Sequence, residues 1–448
     1  MRALLVSTYD LGRQPFGLAS PAAWLRAAGI DVTCVDASRA PITDEQFGAA
    51  SVIAFYLPMH TATRLAAPLI ERARQVNPAA RVCAYGLYAP LNAAWLRDRG
   101  VEVLGAEAEQ ELVDLITFQI PKPKTQMVPR LRFIAPDRAG LPPLDQYASL
   151  RMPDGTQRLI GSTDATRGCK HLCRHCPIVP VYQGQFRVVP LEVVMADVRA
   201  QVAAGAQHIS FGDPDFLNGP THARHLIEAV SREFPGLSYD VTIKIEHLLK
   251  HAGMIPHLHA TGCLFVCSAV ESIDDRVLGL LRKGHTRDDF IAVARLCRDA
   301  GVTLVPTFVA FTPWTTLEGY VELLDLLEAL NLVEQVAPIQ LAIRLLVTAG
   351  SPLLELDDIR RVVSPFDPAS LTWPWRHSDT RVDALQAEVM RLVSGAASAP
   401  RGQVFSAIAA LARRHAHLPP VLRPATTGTP VPYVSEPWYC CAEPMETV

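Results

Sequence analysis

The chain has 448 residues, a formal net charge of −3, 49% hydrophobic and 19% charged residues. That length carries two or three cored domains, and so balanced a charge gives no general electrostatic case for nucleic acid or an anionic membrane surface. Ten cysteines are no disulfide scaffold in a chain this long, no apolar run approaches a membrane span, and Met1–Ser7 lacks the features of a signal peptide, so a soluble cytoplasmic protein is expected, with no nucleic-acid or membrane partner.

Residues 1–118 alternate short apolar runs with amphipathic stretches. Ala3–Ser7, Asp31–Asp36, Ser51–Tyr56, Arg81–Tyr85 and Glu102–Leu104 read as strands, and Ser20–Ala28, Thr61–Gln75 and Pro90–Arg99 as helices. This alternation predicts an α/β unit, a doubly wound (Rossmann-like) parallel sheet. Its ligand crevice falls near Tyr9–Gln14, Leu57–His60 and Gly86–Pro90, with His60 at one edge. Residues 119–155, dense in proline, read as an irregular linker.

Over 156–350 the pattern becomes six strand–helix units. The strands are predicted at Leu159–Ala165, His208–Gly212, Tyr239–Ile245, Cys263–Val270, Thr303–Ala310 and Ile339–Val347. Helices follow at Leu191–Ala204, behind Pro190, and at Asp288–Ala300, behind the N-cap Thr286. Six such units give a partial (β/α)6 barrel of TIM type, whose active residues sit at the carboxyl ends of its strands.

Several residues fall on that rim. Gly212, Asp213 and Asp215 follow the second strand, and carboxylates there are poor core material. Glu271 ends the fourth strand; Lys244 and Arg344 are cations among apolar neighbours and need anionic partners. Phe308 and Trp314 lie on or after the fifth strand. Cys263 and Cys267, four apart on one predicted strand, share a face and read with Cys297 as small buried hydrophobes. Residues 351–422 predict a helical extension, with helices at Asp379–Val393 and Val404–Ala416, followed by a tail, 423–448, that carries Cys440 and Cys441 beside Trp438 and Tyr439.

The densest chemistry is the run Thr166-Arg-Gly-Cys-Lys-His-Leu-Cys-Arg-His-Cys-Pro177. Cys169, Cys173 and Cys176 can converge on one metal centre, and no fourth cysteine lies near enough in sequence to close a zinc site. A 4Fe–4S cluster held by three thiolates keeps one iron open to another ligand. His171 and His175, between the cysteines, are candidate donors to such a cluster.

This Cys-x3-Cys-x2-Cys spacing after Arg-Gly resembles the signature of the radical S-adenosylmethionine superfamily. The resemblance implies that S-adenosylmethionine binds the open iron, that the turn at Gly212-Asp213 contacts its amino group, and that Glu271 binds its ribose. It also implies adenine contacts near Phe308 and Trp314, and a carboxylate partner for Lys244 or Arg344. The front unit resembles the cobalamin-binding domain of a large subfamily, through Gly17-Leu-Ala-Ser-Pro-Ala-Ala-Trp-Leu-Arg26 and the acidic turn Gly105-Ala-Glu-Ala-Glu109. It lacks that family's cobalt-ligating Asp-x-His-x-x-Gly, having Tyr9-Asp-Leu-Gly12 instead.

The ending Cys440-Cys-Ala-Glu-Pro444 resembles the tail of a radical S-adenosylmethionine family that carries cysteine or selenocysteine at this pair, some of whose members belong to arsinothricin-type organoarsenical biosynthesis. Trivalent arsenic is a soft, thiol-seeking atom. The expectation is an enzyme that transfers the 3-amino-3-carboxypropyl group of S-adenosylmethionine to arsenite or another soft acceptor held by Cys440 and Cys441. A low-potential donor such as flavodoxin or ferredoxin would supply electrons. The alternatives are a cobalamin-dependent methyltransferase and a non-catalytic iron–sulfur or S-adenosylmethionine-binding module.

Overall fold

The computed structural model describes residues 1–117, 131–396, 399–421 and 430–436. Five strands, β1 Arg2–Ser7, β2 Asp31–Asp36, β3 Val52–Tyr56, β4 Arg81–Tyr85 and β5 Glu102–Val103, form one parallel sheet in the order β2-β1-β3-β4-β5. Strands covered on both faces need apolar residues at successive positions, and Ala3–Val6 and Ile53–Phe55 are fully buried. Helices Phe16–Ala27 and Glu109–Ile116 cover one face, and Asp44–Ala49 and His60–Val76 the other. The order reverses between β1 and β3, the switch point where such sheets open a crevice.

The second sheet contains β6 Ser149–Arg151, β7 Gln157–Thr163, β10 His208–Phe211, β11 Ser238–Thr242, β12 Cys263–Glu271, β13 Thr303–Phe308 and β14 Tyr433–Val434. A separate hairpin, β8 Thr166–Gly168 with β9 Phe186–Val188, carries the start of the cysteine run. The sheet runs β13-β12-β11-β10-β7-β6-β14, parallel from β13 to β7, with β6 and β14 antiparallel on the other edge. It curls into a half-barrel. Its outer face packs on helices Leu191–Ala203, Pro220–Glu233, Arg287–Asp299 and Leu317–Ala329, where Val241, Val266, Leu304, Phe290 and Leu324 share one core. Thr286 caps its helix through a reciprocal bond with Asp289, as its sequence predicts.

Three expectations need correction. Ile339–Val347 is not a sixth strand. It opens as a short helical turn, Pro338–Leu341, and returns to the sheet only through one parallel bridge, Phe311 to Arg344. The Gln340 side chain takes the place of a strand there, accepting from the Phe308 N–H at 3.3 Å. Lys244 lies beyond β11, at the N-cap of helix Ile245–Lys250.

Cys263 and Cys267 do not share a face, because the register with β11 jumps between Cys263 and Phe265. That extra residue turns Cys263 outward into the core with Cys297 and leaves Cys267 lining the barrel interior. The linker, where described, makes specific contacts with both units. Arg138 donates twice to Asp197, to Gln14 Oε1 at 3.0 Å and to the Ser162 carbonyl, tying crevice loop, β7 and barrel helix together.

The helical extension, Thr380–Gly395 and Arg401–His415, packs on the barrel core. The loop before it crosses to the front unit, where Leu371 joins the core and the Ser370 carbonyl lies 2.6 Å from His60 Nε2. Among the described residues, no helix is long and apolar enough to cross a membrane.

Candidate active site

Gly168 sets the path into the cysteine loop. Its φ is +79°, and a Cβ would sit 2.4 Å from the Tyr182 ring and 2.6 Å from the Gln185 carbonyl, so only glycine fits. Asn218 then braces the loop through the Gly168 carbonyl and the Lys170 N–H, both at 3.4 Å. Farther on, the Arg174 N–H and guanidinium donate to the carbonyls of Leu281 and Leu280, at the end of helix Asp275–Leu281.

So held, Cys169, Cys173 and Cys176 line one cavity of about 350 Å³, at the carboxyl ends of the barrel strands and facing the front sheet. None of them is in a disulfide. Burial pushes the Cys169 thiol up to about 11, against the pull of the His171 backbone N–H, so a bound metal is what would hold it as thiolate. Three cysteines outside any disulfide on one wall are the donor set of a cluster with an open iron.

Beside them lies a buried ion pair, Glu271 with Lys283, completed by the ring of His175, whose pKa burial lowers. Glu271 Oε1 lies 3.0 Å from His175 Nε2 and 3.4 Å from Lys283 Nζ, and all three side chains are at most 3% exposed. Lys283 and His175 outweigh the burial of Glu271 and hold its carboxyl down at about 2. Its φ of +68° costs roughly 1–3 kcal/mol for a non-glycine residue. The strain turns the carboxylate off the end of β12 toward the cavity. Gly212 and Lys244 also line this space, Lys244 with its ammonium 3.3 Å from Glu246.

Asp213 lines the cavity, but its carboxylate braces the turn, accepting from the Ala165 N–H at 2.9 Å and from the Thr166 hydroxyl. Burial, then the charge of Asp164, raise it to about 7. Asp215 is fully buried off the cavity, with Oδ1 accepting from the Leu217 N–H. Two expected contacts are elsewhere. Phe308 packs edge-on to Phe290 in the outer core. Arg344 stacks on Trp375 and donates to Asp383 at 2.7 Å, so its anionic partner belongs to the helical extension. Trp314 lines an adjoining cavity that Glu271 shares. Cys440 and Cys441 lie outside the described residues.

The front unit closes the cavity with Leu11, Arg13, Phe16, Tyr56, Met59, Leu87, Tyr88 and Glu109. Tyr56 lies so flat on Gly17 that a Cβ there would be 2.1 Å from its ring. Two arginines of the hairpin grip the front unit: Arg167 pairs with Glu109 and Ser20, and Arg187 reaches Glu107 at 3.3 Å. The crevice stretches expected from sequence, Tyr9–Gln14, Leu57–His60 and Gly86–Pro90, supply Leu11, Arg13, Met59, Leu87 and Tyr88, whereas the grip of Arg167 and Arg187 is not among those expectations. The Arg of Arg-Gly-Cys and the acidic turn at Gly105–Glu109 were the available signals.

His60 does not face a ligand. It is 3% exposed and committed to the extension, and burial pushes it down to about 4, so it stays neutral. It is the front unit's one histidine, so that unit offers the cavity no imidazole, and the rings that line it, His171 and His175, come from the barrel. The cavity suits a nucleoside-sized cofactor.

Comparison with known proteins agrees with this geometry. The model of the radical SAM superfamily matches residues 164–327. The tRNA-2-methylthio-N(6)-dimethylallyladenosine synthase of Fusobacterium nucleatum is 26% identical over 191 residues, 38% of this chain and 41% of its own length. The ribosomal protein uS12 methylthiotransferase RimO of Methylococcus capsulatus is 27% identical over 212 residues, 43% and 48% of the two chains. The chain thus spans less than half the length of these relatives.

Among solved structures, the cobalamin-dependent S-adenosylmethionine radical enzyme OxsB superposes with a TM-score of 0.65 at 12% identity, over 88% of this chain and 66% of its own. The radical S-adenosylmethionine methyltransferase TsrM of Kitasatospora setae gives 0.60 at 19% identity, over 73% and 71%. At such identities the likeness is one of fold. A domain of this kind implies a 4Fe–4S cluster and S-adenosylmethionine, and solved neighbours also bind cobalamin. With the cysteines, the curled sheet and the family match in agreement, residues 164–327 are a radical SAM superfamily domain.

Proposed function

We propose that the chain is a radical S-adenosylmethionine enzyme that transfers the 3-amino-3-carboxypropyl group to trivalent arsenic. The observation that carries the first part is the single cavity lined by Cys169, Cys173, Cys176 and Glu271. Cys169, Cys173 and Cys176 would hold a 4Fe–4S cluster, which when bound would supply an electron to the sulfonium of S-adenosylmethionine. Glu271, kept ionised by Lys283 and His175, accepts from ribose hydroxyls, and Lys244 and Gly212 lie where the amino-acid end is recognised. The apolar front wall of Phe16, Tyr56 and Met59 keeps water from the reacting carbon.

The balance is S-adenosylmethionine, arsenous acid, two electrons and a proton giving methylthioadenosine, an organoarsonous acid and water. One carbon–sulfur bond breaks and one carbon–arsenic bond forms. A low-potential flavodoxin or ferredoxin supplies both electrons. What supports a role for Cys440 and Cys441 is the stretch that precedes them. Tyr433 and Val434 pair with β6, and Glu436 accepts from the Tyr9 hydroxyl at 2.6 Å, against Gly12. Leu11 and Arg13, on either side of Gly12, line the cavity. Four residues beyond Glu436 span about 13 Å when extended.

The test is anaerobic turnover with and without arsenite. Arsenite-dependent methylthioadenosine together with an arsenic-containing amino acid supports the reading; 5′-deoxyadenosine alone refutes it. Cys440→Ser with Cys441→Ser abolishes the arsenic product and leaves the iron content unchanged.

A second reading, cobalamin-dependent methyl transfer, is favoured by the front sheet's order and by its crevice facing the cysteines. Corrinoid absorption in the purified protein, with a methylated product, selects it over the first.

A further inference from the structure

Behind the cysteine loop, three side chains converge that the reading above leaves idle. His171 comes from between Cys169 and Cys173, Asp215 from the loop after β10, and His247 from helix Ile245–Lys250. Asp215 and His247 are 0% exposed. One donor atom of each lies within 4.8 Å of the other two. Asp215 Oδ2 is 2.7 Å from His247 Nδ1 and 3.4 Å from His171 Nε2. Yet none of these three atoms has a partner in hydrogen-bond geometry. The other carboxylate oxygen is taken by the Leu217 N–H at 3.1 Å, which fixes Oδ2 toward the two rings. A buried carboxylate beside one buried and one partly buried imidazole, left in this state, costs free energy unless something binds between them.

We propose that His171, Asp215 and His247 bind one divalent transition-metal ion, with zinc preferred. The His₂–carboxylate set is a common zinc donor set, and metal–ligand bonds of about 2.0–2.1 Å put the edges of a tetrahedron near 3.3 Å, close to the His171–Asp215 separation. The Asp215–His247 edge opens by about half an ångström on binding. A water takes the fourth position. Glu246 Oε2, 3.5 Å from His171 Nδ1, orients that ring from outside, as carboxylates commonly do for metal-bound histidine.

The ion joins the cysteine loop to the loop after β10 and to helix Ile245–Lys250, holding Cys169 and Cys173 in place before iron arrives. The site is distinct from the cluster: it uses no sulfur, and of its three ligands only His171 reaches the cavity that the cysteines line, while Asp215 and His247 lie behind it. It does not depend on which acceptor the enzyme alkylates.

The full chain, purified anaerobically and reconstituted with iron and sulfide, is exposed to zinc, desalted and assayed for metals. The expected result is one zinc per chain beyond the cluster iron. Its K-edge absorption shows nitrogen and oxygen neighbours at about 2.0 Å and no sulfur shell at about 2.3 Å. Asp215→Asn and His247→Gln weaken zinc binding at least tenfold and retain iron and sulfide. A reconstituted wild-type chain that holds no zinc, or holds it on sulfur, overturns the proposal without any variant. Wild-type zinc affinity in both variants overturns it as well.

Discussion

Arg167 and Arg187 face each other in the β8–β9 ladder and reach, respectively, Glu109 and Glu107, two residues apart at the start of helix Glu109–Ile116. The hairpin that carries the first cluster cysteine is thus locked to the front sheet by a matched pair of cations and anions. Arg167 is also sandwiched between Phe16 and Phe133. Its side chain is 11% exposed and that of Glu109 5%. Removing one partner strands the other's charge in the interior. Arg167→Met is expected to cost about 3–5 kcal/mol, and Arg167→Met with Glu109→Gln clearly less than the two single changes summed. Denaturant unfolding of the four proteins in that cycle decides it; additive single effects would show that the pair is uncoupled.

Gly168→Ala tests the loop's entry. With φ at +79° and the Tyr182 ring 2.4 Å from any Cβ, the new methyl must push the ring or the turn aside. Iron bound after reconstitution is expected to fall severalfold while circular dichroism stays native. Cys173→Ala should behave alike for iron and differ in leaving thermal stability nearly unchanged. Full iron loading of Gly168→Ala would mean that the turn adapts.

How far this site could be read in advance depended on the range of the interactions that build it. Strands β2 and β4 fall on their predicted limits, β4 because a buried parallel strand declares itself as an apolar run and the edge strand β2 because Asp31 and Asp36 bracket its apolar residues. The cysteine triplet and Glu271 were readable because their spacing, or their place at a strand end, is local. Arg344 was rightly judged to need an anion, but Asp383 lies 39 residues on, in a helix that no local pattern joins to it. The missing sixth strand turns on one side chain, Gln340, doing a strand's hydrogen bonding. The two faces of Cys263 and Cys267 turn on a one-residue register jump that alternation alone does not reveal.

Lys283 is expected to govern S-adenosylmethionine affinity through Glu271. Lys283→Met leaves a carboxylate 2% exposed with only His175 beside it, so its pKa rises from about 2 toward and beyond its ordinary value. Titration calorimetry on the reconstituted protein should then show at least tenfold weaker binding near neutral pH, partly recovered in Lys283→Arg. Unchanged affinity would place the ribose elsewhere.

His60 gives a pH signature to the contact between the front unit and the helical extension. Burial lowers its pKa from 6.5 to about 4. Between those values the unfolded chain binds a proton that the folded chain refuses, so stability rises with pH across this window and falls on acidification. The shift corresponds to about 3 kcal/mol, absent near pH 4 and fully present above about pH 6.5. His60→Gln keeps a donor for the Ser370 carbonyl and removes the titration. The stability difference between wild type and His60→Gln should therefore change by that amount between pH 7 and pH 4, in favour of the variant at the acid end. Comparing the two proteins at each pH cancels the buried carboxylates Asp10 and Asp213, which are raised to about 7 and so oppose the trend in both. Parallel pH–stability curves would show that the His60 ring is protonated or solvated in the folded chain.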